Sequence, residues 1–110
     1  MIEALWTLEF VSTEGNIGAG VVIFETNRIF GGDVSYYYLG EYETKNNKIT
    51  AKVKVTHYFG PPSSVFGELK EFTIYFSGDI EVPVMTAFGY LKENPNQKIV
   101  VRCTRRADLP

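Results

Sequence analysis

The chain has 110 residues, 45% of them hydrophobic and 22% charged, the proportions of one globular domain rather than a disordered tail or a membrane-embedded segment. A formal net charge of −2 argues against a nucleic-acid-binding module, which is usually basic, and the one basic cluster, Arg102, Arg105 and Arg106, reads as a solvated strand end. A lone cysteine, Cys103, excludes an intrachain disulfide and fits a reducing compartment; with no basic-then-apolar leader and no apolar run long enough for a bilayer, the expectation is one cytoplasmic domain over residues 1–110, without membrane insertion.

Short alternating segments separated by turn signals fill the chain. Residues 4–11 place Trp6, Leu8 and Phe10 on one face. Residues 17–24 form a second apolar run, thinned on one face by Gly18 and Gly20, and Thr26-Asn27 makes a two-residue hairpin turn into Arg28, Ile29 and Phe30. Gly31 and Gly32 then suggest a sharp backbone bend, secured by the Asp33 side chain, before a strand of three tyrosines that runs to about residue 43. Asn46-Asn47 is the next hairpin signal, because Asn tolerates left-handed backbone. Residues 49–57 alternate most clearly, with Ile49, Ala51, Val53 and Val55 on one side and Thr50, Lys52, Lys54 and Thr56 on the other. Pro61 and Pro62 remove ladder donors and force a loop. A strand carrying Phe72, Ile74 and Phe76 follows, then a turn expected at Gly78-Asp79, a strand over residues 82–91, a break at Asn94-Pro95-Asn96, and a last strand over residues 98–105.

No helical period extends beyond about a turn. About eight short antiparallel strands with short connections predict an all-β, up-and-down barrel, lipocalin-like, because closure is the economical way to hide sheet edges. The phase puts Trp6, Leu8, Phe10, Tyr38, Tyr42, Val53, Val55, Phe72, Ile74, Phe76, Ile99 and Val101 inside. Such a barrel is either filled by its own side chains or holds one small ligand. If it is hollow, Trp6, Phe10, Tyr38, Tyr42, His57, Phe72 and Phe76 are the candidates to line the cavity, and a hydrophobic small molecule or lipid is the occupant. Tyr37 and Leu39 face outward with Leu5, Val11 and Val100; gathered into a patch they would mark a contact surface, with Leu5, Tyr37 and Leu39 as homodimer-interface candidates.

The inventory for chemistry is thin. His57 is the only histidine, either a polar head-group contact at the barrel mouth or a side chain satisfied by the adjoining loop. With Cys103 the only thiol, a histidine- and cysteine-based metal site lacks ligands, so no metal and no cofactor are expected. Cys103 falls on the inward phase, where a free cysteine behaves as a small hydrophobe. Asp33 is better explained by turn bonding than by acid catalysis, and Gly18-Ala19-Gly20 lacks the following helix of a phosphate loop. No catalytic constellation assembles, and the expectation is a protein that is not an enzyme.

Several motifs run in order over nearly the whole chain: Ala4-Leu5-Trp6 with Phe10, Gly18-Ala19-Gly20-Val21-Val22, Gly31-Gly32-Asp33 with Tyr38 and Gly40, Val65-Phe66-Gly67, and Gly78. In these the chain resembles the GrlR-like family, named for a negative regulator of type III secretion. The resemblance implies an eight-stranded lipocalin-like barrel with an internal apolar cavity, a plug-like loop, here residues 60–67, and a dimeric state. It also implies a regulator that acts by sequestering a transcriptional regulator protein. The founding regulator uses an acidic Glu-Asp-Glu-Asp run on a hairpin; the corresponding turn here reads Glu43-Thr44-Lys45-Asn46-Asn47-Lys48. The function expected is therefore a non-enzymatic regulatory protein acting through a protein partner, with a small-molecule or lipid-binding barrel as the alternative.

Overall fold

In the computed structural model, which describes residues 2–110, eight strands follow one another: β1 (Ala4–Ser12), β2 (Ile17–Glu25), β3 (Arg28–Gly32), β4 (Tyr36–Lys45), β5 (Lys48–His57), β6 (Glu71–Asp79), β7 (Val84–Leu91) and β8 (Lys98–Ala107). Each pairs antiparallel with the next, and β8 returns to β1, so the sheet closes into an up-and-down barrel. This is the all-β class and topology that the alternation predicts. Among the described residues no helix is long and apolar enough to cross a membrane.

The two hairpins anticipated from Asn lie where expected. Thr26 and Asn27 have φ of 48° and 64°, and Asn46 and Asn47 have φ of 53° and 62°. Positive φ at both central residues matches the twist of a two-residue hairpin.

Two expected bends are not bends. Gly31 and Gly32 continue β3, paired with Val22 and Val21 on one side and Tyr38 and Tyr37 on the other. Gly31 is there for space rather than for a turn: a Cβ on it would lie 1.9 Å from the Val21 carbonyl oxygen. The chain reverses one step later, where Asp33 Oδ1 accepts the backbone N–H groups of Ser35 (2.9 Å) and Tyr36 (2.8 Å). Gly78 and Asp79 likewise extend β6 beside Ile49 and Lys48. The reversal falls at residues 80–83, and β7 begins after Pro83, which can contribute no N–H to a ladder.

The inward phase is as the alternation predicts, with Tyr38, Tyr42, Val53, Val55, Phe72, Ile74, Ile99, Val101 and Cys103 buried. One end of the barrel, the base, holds the β2–β3, β4–β5 and β6–β7 turns. It is filled: Trp6 and Met85 are almost wholly buried, and Trp6, Phe24 and Tyr42 pack edge to face with ring centroids 5.8 and 5.3 Å apart. The other end, the mouth, holds the β1–β2, β3–β4 and β7–β8 turns and the long loop 58–70.

Outside, register aligns apolar side chains into rows. Leu5, Ile23, Phe30 and Leu39 are successive cross-strand neighbours over β1–β4. Ile17, Val11, Val100 and Phe88 form a second row over β2, β1, β8 and β7.

Candidate functional site

The mouth half of the barrel is hollow. A cavity of about 300 Å³ opens there, walled by Leu8, Phe10, Val55, Phe72, Ile74, Phe76, Ile99 and Val101. Below it an all-apolar void of about 70 Å³ shares Leu8, Phe76 and Val101 with the cavity wall and reaches Met85 and Cys103. Three glycines leave room beside the cavity for the large side chains that line it. A Cβ on Gly18 would come within 2.5 Å of the Phe10 ring, one on Gly89 within 2.7 Å of the Phe76 ring, and one on Gly20 within 2.7 Å of the Tyr38 hydroxyl. Gly18, Gly20 and Gly89 thus each accommodate an aromatic side chain where a Cβ would stand.

The rim carries the polar groups: Asp33, Ser35, Ser63 and Ser64, with Tyr36 and Tyr38 beneath. Asp33 holds the β3–β4 turn through Oδ1, while Oδ2 accepts the Tyr38 hydroxyl at 2.5 Å. Burial, and then the hydrogen bond and charge of Asp33, raise the Tyr38 pKa far above the ordinary tyrosine value, so the phenol stays a donor. The Tyr36 hydroxyl donates to the Leu69 carbonyl (2.6 Å) and that of Tyr58 to the Asp33 carbonyl (2.7 Å). Loop 58–70 leans over the rim. Ser64 and Gly67 exchange backbone hydrogen bonds of 2.8 and 3.0 Å, Val65 lines the cavity, and the Phe66 ring meets the Phe72 ring edge-on at 5.6 Å. Asn16 ties the loop to the β1–β2 turn by donating Nδ2–H to the Val65 carbonyl at 3.2 Å.

Of the seven residues expected to line a cavity, the fold brings Phe10, Tyr38, Phe72 and Phe76 together around it. The other three are corrected. Trp6 faces inward but sits in the filled base, its indole N–H bonded to the Ile2 carbonyl at 2.8 Å. Tyr42 packs on Phe24 in the same base layer. His57 lies at the mouth, yet its Nε2 is 3.0 Å from the Phe59 carbonyl oxygen and 2.6 Å from that of Gly60, so the loop satisfies it and it does not line the cavity. Sequence reasoning missed Tyr36 and Asp33 as cavity residues. Tyr36 was available from the period of two that sets Tyr38 and Tyr42 inward; Asp33 was not, because a turn residue has no strand phase.

Asp33, His57 and Cys103 do not converge. Asp33 lines the upper cavity, Cys103 the lower void, and His57 neither. Burial pushes the Cys103 thiol up to about 12, which leaves it protonated and poorly nucleophilic at neutral pH. Of the three dimer candidates, Tyr37 and Leu39 are exposed and Leu5 half-buried, all on the outer surface.

No protein-family model matches the chain, and no curated protein matches it.

Proposed function

We propose that this chain is a non-enzymatic binding protein whose barrel holds one small, largely apolar molecule. The observation that carries the reading is the cavity of about 300 Å³ at the mouth, apolar in its walls and polar only at its rim. That is the pattern of a small-molecule site, at the lower end of the usual size range. A cavity of that size suits a medium-chain or monocyclic compound better than a full-length lipid chain.

Native mass spectrometry after gentle purification tests this directly, together with calorimetric titration of octan-1-ol as a neutral probe. A co-purifying small molecule, or one-to-one uptake of the alcohol with a rise in Tm, is expected. A clean apo mass and no heat of binding would remove the reading.

A second reading is favoured by a different observation. The row Leu5, Ile23, Phe30 and Leu39 makes a continuous apolar strip on the outside of β1–β4, with Val21 and Tyr37 beside it. It supports a cytoplasmic homodimer that regulates or sequesters a partner, such as a transcriptional regulator protein, as the GrlR-like resemblance implies. Sedimentation showing a monomer at every accessible concentration would count against the dimer.

A further inference from the structure

We infer that the cavity selects a cationic head group, so that its ligand is a small amphipathic amine with the ammonium at Asp33 and the apolar body reaching toward Ile99 and Val101. This rests on the reading of the barrel as a carrier of a small molecule and names the chemical class it carries.

The charge balance of the site carries the argument. Asp33 is the only carboxylate, and the only formally charged side chain, among the described residues lining the cavity; no Lys, Arg or His lines it. None of the four ion pairs among the described residues includes Asp33. Its three hydrogen-bond partners, two backbone N–H groups and the Tyr38 hydroxyl, orient the carboxylate but bring no positive charge. Three donors leave part of a carboxylate's acceptor capacity free, since its two oxygens offer about four sites. Aromatic side chains line the same cavity. Tyr36, Tyr38, Phe10 and Phe72 line the cavity with Asp33, and aromatic rings favour cations electrostatically.

The converse head group is disfavoured for a separate reason. Three of the five hydroxyls that line the cavity are committed, Tyr38 to Asp33, Tyr36 to Leu69, and Ser64 to the Gly67 carbonyl at 2.8 Å, which leaves those of Ser35 and Ser63. A carboxylate ligand would also face the Asp33 charge across an apolar enclosure, where like charges repel more strongly than in water.

The test is titration calorimetry at pH 7 with three probes of equal chain length: octylammonium, octan-1-ol and octanoate. Octylammonium is expected to bind about tenfold more tightly than the alcohol, the discrimination of one charge-assisted hydrogen bond, and octanoate more weakly than either. Asp33→Asn retains Oδ1 as the acceptor for the Ser35 and Tyr36 N–H groups, removes the charge, and replaces the oxygen that accepts the Tyr38 hydroxyl with an amide N–H donor, so it should bring octylammonium to within about twofold of octan-1-ol. Octanoate binding as tightly as octylammonium, or an amine preference that survives in folded Asp33→Asn, overturns the inference and leaves the cavity reading standing. Failure of all three probes overturns both. The wild-type series decides the matter even if the variant does not fold.

Discussion

Asp33 and Cys103 show how one side chain's surroundings set its use. Asp33 was legible as a turn-former, and it is one; its second oxygen, turned to Tyr38, also makes it the anionic point of the cavity rim. Cys103 lies on β8 between Leu8 and Met85, where water does not reach it. Burial raises its pKa from 9.0 to about 12, and burial raises those of Tyr36, Tyr38 and Tyr42 as well. In the unfolded chain the thiol loses its proton first, so above pH 9 the unfolded state binds fewer protons than the native state. The stability owed to the neutral thiol is therefore fully present below about pH 9 and is lost as pH rises toward about 12. The loss is at most about 1.4 kcal/mol per pH unit for one group. Cys103→Ala should show a shallower fall in urea-unfolding free energy between neutral and strongly alkaline pH than wild type. Equal slopes would show that the tyrosines alone set the alkaline limit.

At the scale of the strand, the glycines divide by what they approach. Gly31 on β3 faces backbone, with the Val21 carbonyl oxygen and Val22 Cα within 2.7 Å of where a Cβ would be. Gly18 on β2 faces only the Phe10 ring, which borders open space. Gly31→Ala must move a strand and is expected to cost about 3 kcal/mol, the upper end of ordinary overpacking. Gly18→Ala can be relieved by a swing of Phe10 into the cavity and should cost about 1 kcal/mol or less while narrowing the site. Urea denaturation of the two variants checks the order, and a Gly18→Ala loss as large as that of Gly31→Ala would mean that the Phe10 ring is locked. From the sequence, Gly31-Gly32 reads as a bend because a glycine pair is locally permissive; that these two residues lie between β2 and β4 is a long-range fact with no local sign.

At the scale of the whole molecule, closure through β1 and β8 leaves no free strand edge, so association by strand addition is not available. The outer apolar rows are the surface on which the proposed dimer is tested. Leu39 is 56% exposed at the β4 end of the β1–β4 strip, next to Lys54, and Leu39→Glu should shift the proposed dimer to monomer while changing protomer stability by no more than about 0.5 kcal/mol. Analytical ultracentrifugation reads the first effect and thermal unfolding the second; an unchanged dimer would move the interface to the Ile17–Phe88 row. The same closure explains which properties could be read in one dimension. Alternation determined the fold class and the face on which Trp6, Tyr38, Tyr42 and Phe76 lie, because a pleated strand sends neighbouring side chains to opposite sides whatever surrounds it, and the hairpins at Asn27 and Asn47 were legible because Asn tolerates left-handed backbone. Only the tertiary structure decided at which height each inward residue stands, since that depends on the stagger of eight strands around the ring. It therefore put Trp6 and Tyr42 in a filled base, Phe10 and Tyr38 beside a void, and His57 under a loop. It also decided that the barrel is half hollow, because the room for a large inward side chain depends on the glycine across the ladder.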